Sequence, residues 1–200
     1  MLYLIRHGET AAPKGLCIGQ TDVALSASGI DDITQHTLPE LQTLVTAQPR
    51  IVASPLQRTM RTAQIITAGF DVPITQEPSL KEINMGEWDG LPFDDIKQKW
   101  PGAYTQRGTN FTHFRPPHGE SFWDVQQRAL KAIIPLCQCT EPLLLITHAG
   151  VIRSVLCAAN QTPLQELFKY SPATGSITPL DKKQFLEHAT SVIEASTQES

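Results

Sequence analysis

Apolar positions in this chain fall into two alternating rhythms, short unbroken runs and longer stretches with helical spacing. Leu2 to Ile5 is a short apolar run that stops abruptly at Arg6-His7-Gly8 and predicts a strand. Ser26 to Gly29 offers capping and turn residues ahead of a helical stretch with Ile30, Ile33, Leu41, Leu44 and Val45, disturbed at Pro39. Ile51 to Ala53 reads as a second strand. Ser54-Pro55 then predicts a helix start, with Ser as N-cap and Pro in the first helical position. Leu56, Met60, Ala63 and Ile66 give that helix its apolar side, and Gly69 ends it. A third strand is expected near Pro73 to Thr75.

Residues 120–137 repeat apolar positions at Phe122, Val125, Ala129, Ala132, Ile133 and Leu136, which is helix spacing. Leu143 to Thr147 is apolar nearly throughout, as a strand buried on both faces should be. Ala149 to Ala159 follows as another helix. Strands separated by helices predict an α/β fold, a mainly parallel β-sheet flanked by helices, in a single domain over 1–200. The polar tail at about 190–200 is expected to fray.

One segment breaks the rhythm. Trp100 to Gly119 has little periodicity, with three prolines and three glycines, and long irregular segments in compact domains are usually functional or disordered. The stretch 88–123 also holds eight of the thirteen aromatic residues. Such enrichment suits a folded lid over a binding site, placed at about 83–120, better than a floppy insert.

Charge narrows the partners. Sixteen Lys plus Arg against twenty Asp plus Glu gives a net charge of −4. That is not the balance of a nucleic-acid binder. No apolar run approaches the length of a membrane span, and the opening residues lack the pattern of a signal peptide. A cytoplasmic location is therefore expected, and Cys17, Cys137, Cys139 and Cys157 read as reduced thiols rather than as a disulfide framework or a zinc site.

Chemistry concentrates where two strands end. Arg6-His7-Gly8-Glu9-Thr10 closes the first, and His148 takes the matching place after Leu143 to Thr147, followed by Ala149-Gly150 and a helix. Ligands of open α/β sheets bind outside the carboxyl ends of strands. The N–H groups and dipole of a helix start attract anions. Two histidines and an arginine in that setting predict a phosphate site. His36 and His188 read as solvated surface residues.

LIRHGET resembles the opening motif of the histidine phosphatase superfamily, whose fold is phosphoglycerate-mutase-like. The resemblance continues in order through GQTDVALSASG at 19–29, ASPLQRTMRTAQII at 53–66, EINMGEWDG at 82–90, GES at 119–121 and LLITHAGVIR at 144–153. It implies a phosphohistidine intermediate, with His7 as nucleophile and Glu82 as proton donor. Arg6, Arg58 and His148 would form the phosphate pocket, with Thr10, Thr21, the start of the helix at Ala149 and Gln20 as further candidate donors. Glu87 is the competing acid, and Glu9 is expected to order its loop.

These residue types suit the reaction. A neutral imidazole attacks phosphorus and splits one hard step into two. Charge spread over three phosphoryl oxygens calls for positioned cations, and arginine grips two oxygens at once. A protonated His148 would add a further donor. No cofactor and no metal are implied. The expected partner is a small phosphate ester, with neither nucleic acid nor membrane, and a homodimer is an open alternative.

Two departures stand out. Many members carry Asn six residues after the nucleophile, where this chain has Pro13, and the usual Gly-Gly before Glu-Ser is His118-Gly119 here. Only 65 residues separate Glu82 from His148, too few for the insertions of the mutases, so hydrolysis is expected. The short form and PPHGESFWDVQQRA resemble the α-ribazole-5′-phosphate phosphatases of cobalamin nucleotide-loop assembly. The alternatives are a broad-specificity sugar-phosphate or nucleotide phosphatase, a mutase, and a phosphate-binding relic.

Overall fold

A computed structural model describes residues 1–198. Strands β1 (Leu2–Arg6), β2 (Arg50–Ala53), β3 (Ile74–Gln76), β4 (Leu143–Thr147) and β5 (Ile177–Leu180) form one sheet in the order β3-β2-β4-β1-β5. The first four are parallel, and β5 runs antiparallel to β1 at one edge. Leu2, Leu4, Val52, Leu143 and Leu145 join the hydrophobic cluster on one face, and Tyr3, Ile5, Ile51, Ala53, Leu144 and Ile146 join the other. Both faces are covered, so β1 and β4 are written as unbroken apolar runs.

Helices α1 (Ala27–Asp32), α2 (Leu38–Leu44) and α3 (Gln57–Thr67) contribute to the second cluster or flank it. A widened π turn over Ile33–Thr37 joins α1 to α2. It lies just ahead of Pro39, which has no N–H to give the ladder and was the expected point of disturbance. Beyond these come α4 (Phe93–Lys99), α5 (Pro101–Asn110), α6 (Phe122–Leu136), α7 (Ala149–Ala159) and α8 (Lys182–Gln198). The first cluster packs α6, α7 and α8 against the sheet. Ser121 starts α6 with a capping box closed by Asp124.

The fold departs from the sequence reading at four places. Helix α3 begins at Gln57, not at Ser54-Pro55: Asp22 Oδ1 accepts from the Gln57 N–H at 2.7 Å, while the Ser54 hydroxyl accepts from the Leu56 N–H at 3.5 Å and also meets His148 Nε2. The supposedly aperiodic stretch 100–119 contains α5, opened by Pro101 in its first turn. The tail expected to fray from about 190 is helical through Gln198, and residues 199–200 lie outside the described residues. The edge strand β5 was not anticipated, since Pro179 interrupts its short sequence, and proline is tolerated at a sheet edge.

The aromatic enrichment also finds its cause. Trp88 is fully buried, and its ring lies 5.4 Å from Phe114, 6.3 Å from Trp100 and 6.4 Å from Tyr104, centroid to centroid. Four of the eight rings thus pack together as part of the first cluster.

Candidate active site

Parallel pairing of β1 with β4 sets Arg6 opposite Thr147, so the next residues, His7 and His148, leave adjacent strands at the same end. Their ring centroids are 5.2 Å apart. His7 Nδ1 lies 2.7 Å from its neighbour's carbonyl, Gly8 O. A carbonyl can only accept, so Nδ1 carries the proton and Nε2 keeps its lone pair. Burial, with Arg58 and Arg6 nearby, pushes the His7 pKa down to about 3 despite the Gly8 contact. His7 is neutral at ordinary pH.

His148 is completely buried. Its Nδ1 accepts from Arg58 Nε at 3.2 Å, and its Nε2 lies 2.8 Å from Ser54 Oγ. An arginine N–H can only donate, which leaves the neutral imidazole its proton on Nε2, donated to Ser54. Burial first, then the field of His7, Arg58, Arg128 and Arg6, holds its pKa well below the usual value. The protonated His148 expected as a third phosphate donor is thereby corrected: the ring is neutral, and both nitrogens have protein partners.

Arg58, also buried, braces a loop as well. Nη2 donates to Gly19 O at 2.6 Å and Nη1 to Thr21 O at 2.9 Å. Of its five N–H groups, two are left over. The same loop is held from its amide side by Asp89. That carboxylate accepts from the N–H groups of Gly19, Gln20 and Thr21 and from the Thr21 hydroxyl, at 2.7–3.0 Å. Thr21 therefore spends its one hydroxyl proton on Asp89, against the expected donation to phosphate. The Gln20 side-chain amide is likewise committed, to Glu82 O at 2.9 Å.

Arg6 donates from Nη1 to Pro172 O at 2.8 Å, while its Nε is buried with no partner among the described residues. A buried orphan donor is costly and marks a place for an acceptor. Glu82 Oε2 accepts from Gly150 N–H at 3.1 Å, at the start of α7, and Oε1 accepts from Ile83 N–H. Gly150 has to be glycine for this seat, since a Cβ there would collide with Glu82 Oε1. Glu87, the rival acid, faces the exposed His118 ring at 3.6 Å. Thr10 makes a backbone bridge with Leu25, and Glu9 accepts from the Ser28 hydroxyl at 2.7 Å, ordering that turn.

The family model of the histidine phosphatase superfamily (branch 1) matches residues 2–189. The chain belongs to this superfamily. It is 27% identical to the adenosylcobalamin/alpha-ribazole phosphatase of Escherichia coli K12, over 92% of this chain and 90% of that one. It is 32% identical to the 6-phosphofructo-2-kinase/fructose-2,6-bisphosphatase of Arabidopsis thaliana, over 83% of this chain but only 22% of that longer protein. Among solved structures, Bacillus stearothermophilus YhfR is 33% identical, with a TM-score of 0.78 over 90% of this chain and 91% of that one.

Several residues of the site had no reading as such in the sequence. Ser54 reads in the sequence as a helix cap. Asp89 clamps the 19–21 loop, and only the WDG motif flagged it. Arg128 donates to Ser79 O and Glu82 O and pairs with Glu120, whose Oε2 accepts from Asn84 N–H at 2.8 Å. This pair fixes the backbone on both sides of Glu82. A cavity of about 260 Å³ opens beside Glu82 and Gly150, lined also by Phe93, Phe122, Phe168, Arg107 and Arg153.

Proposed function

We propose that this chain is a phosphomonoester hydrolase working through a phosphohistidine at His7. The observation that carries the reading is the His7 imidazole. It is neutral, its lone pair is directed to Nε2 by the Gly8 carbonyl, and Arg6, with an unpartnered buried Nε, stands near it. Nε2 attacks phosphorus as the P–O bond to the alcohol breaks. Glu82 gives its proton to the leaving oxygen. In the second step the Glu82 carboxylate takes a proton from water, whose oxygen attacks the phosphorus and releases His7 and inorganic phosphate. Arg6 and the two spare N–H groups of Arg58 neutralise the phosphoryl oxygens, with the N–H at Ala149 adding the field of a helix start. His148 acts by position, fixing Arg58 and Ser54.

The names of the relatives and the sequence around 116–129 support α-ribazole-5′-phosphate as the substrate. Arg107 and Arg153 beside Glu82 favour a second reading, an ester whose leaving group carries an anion of its own. The test is hydrolysis of p-nitrophenyl phosphate between pH 4 and 9, followed by a panel of phosphorylated metabolites that includes α-ribazole-5′-phosphate. Turnover is expected. Its absence across the whole range would leave a phosphate-binding protein instead.

A further inference from the structure

The cavity beside Glu82 has an unbalanced charge. Glu82 is the one carboxylate in its lining, and it is committed to the N–H groups of Gly150 and Ile83. Against it stand Arg107, on α5, and Arg153, on α7. Among the described residues the Arg107 side chain makes no hydrogen bond or ion pair. Arg153 Nε donates to Tyr170 O at 2.9 Å, and its guanidinium lies 5.4 Å from the Phe168 ring centroid, but no carboxylate pairs with it. Arg153 is also near enough to Arg6 to depress the pKa of that group. The remaining lining is largely apolar, with Leu16, Phe93, Phe122 and Phe168 among it. Arginines in a partly apolar cleft without carboxylate partners are a site for an anion.

The position identifies which anion. A proton from Glu82 reaches the ester oxygen only if that oxygen lies against the carboxylate, and the alcohol then extends into this cavity. At about 260 Å³ the cavity falls below the ~300–1,000 Å³ of drug-sized ligand sites, so a compact alcohol suits it. We infer that Arg107 and Arg153 form a subsite for a second anionic group, a carboxylate or another phosphate, carried by a small leaving group. The inference rests on the proposed hydrolysis for its orientation, but the binding it requires is measurable without turnover.

The experiment titrates the full chain with three non-hydrolysable probes, propylphosphonate, 3-phosphonopropanoate and propane-1,3-bisphosphonate, by calorimetry. One or both of the probes that carry a second anionic group should bind about tenfold or more tightly than propylphosphonate, the scale of one charge-assisted contact. Which of the two binds better tells carboxylate from phosphate. The advantage should shrink with salt. In Arg107→Gln and Arg153→Gln the ratio of affinities should collapse toward one. Arg107 lies on the partly exposed α5, so its variant keeps the test open if loss of the Tyr170 contact unfolds Arg153→Gln.

Equal binding of all three probes, or a ratio untouched by both variants, would overturn the subsite. The corresponding esters, propyl phosphate and 3-phosphooxypropanoate, separate it from the reaction: a binding preference without hydrolysis of either ester or of p-nitrophenyl phosphate would sink the phosphatase reading and leave the subsite standing. Faster hydrolysis of α-ribazole-5′-phosphate than of any anionic ester would contradict the inferred leaving group.

Discussion

Arg58 and His148 are joined by a hydrogen bond in which the arginine Nε donates to the histidine Nδ1 across 3.2 Å. The bond fixes the tautomer of a fully buried ring and spends one edge of the guanidinium on a protein partner. Arg58 in contact with His148, with Arg6 near enough for its field to act on both rings, disfavours a proton on either imidazole.

That arrangement makes stability depend on pH. An imidazole with a pKa near 6.5 in the unfolded chain and about 3 in the folded one binds its proton first in the unfolded state. Stability is therefore full above about pH 6.5 and falls as pH drops toward 3, by about 1.4 kcal/mol per pH unit for each such group. His7 and His148 both act in this direction. His148→Gln should flatten the slope of urea-unfolding free energy between pH 4.5 and 6 by about the share of one imidazole. This window lies above the one in which Asp124, with its pKa lowered to about 2, contributes. An unchanged slope would mean that His148 titrates normally in the folded protein.

Glu82→Gln separates the two halves of the reaction. The variant nearly keeps shape but has no carboxyl proton to give. Phosphoenzyme formation from an alkyl ester should slow by roughly 10²–10⁴, the scale of general acid catalysis. The loss should be clearly smaller for p-nitrophenyl phosphate, because p-nitrophenolate leaves without help. Single-turnover rates are the readout, since water activation by Glu82 affects both substrates in the second step. Equal losses in the first step would move the proton donor to another group, with Glu87 the next candidate.

Gly150→Ala tests the seat of that carboxylate. The added methyl meets the mobile end of Glu82, so the side chain can move aside and the fold survives. Alanine also favours helix by up to about 1 kcal/mol over glycine. Activity toward an alkyl ester should fall by about tenfold to a hundredfold, as displacement of a reacting group by about 1 Å does. The melting temperature should barely change. A fully active variant would show that Glu82 needs no fixed position at the start of α7.

The central elements of the fold were legible because their signals are local. A strand buried on both faces has to be apolar throughout, and Leu143 to Ile146 cannot easily be read otherwise. The histidines were legible through their strand-end context, before any geometry was known. What was not legible depends on long-range pairing. Nothing near Ser54 announces that its hydroxyl meets a histidine 94 positions away, so it reads as a helix cap. Thr21 reads as a phosphate donor until Asp89, 68 positions on, takes its proton. The α5 segment lacks a fully buried side and so has little periodicity to detect.

Metal dependence is a separate check. In the proposed reaction Arg6 and Arg58 supply the charge that a divalent ion would bring to a phosphoryl group, and among the described residues no three His, Cys, Asp or Glu side chains are grouped to hold one. Activity should survive exhaustive EDTA treatment. Loss on chelation, with recovery on adding Mg²⁺ or Zn²⁺, would contradict the arginine-based account.

The most direct measurement is rapid-quench trapping of the phosphoryl group from a ³²P-labelled monoester. Wild-type protein should retain label that is stable to alkali and labile to acid, the signature of a phosphorus–nitrogen bond, at His7. His7→Ala should retain none and lose kcat by far more than a hundredfold. A His7→Ala protein that keeps more than about a hundredth of wild-type kcat, or wild-type label stable to acid, would contradict covalent catalysis through His7.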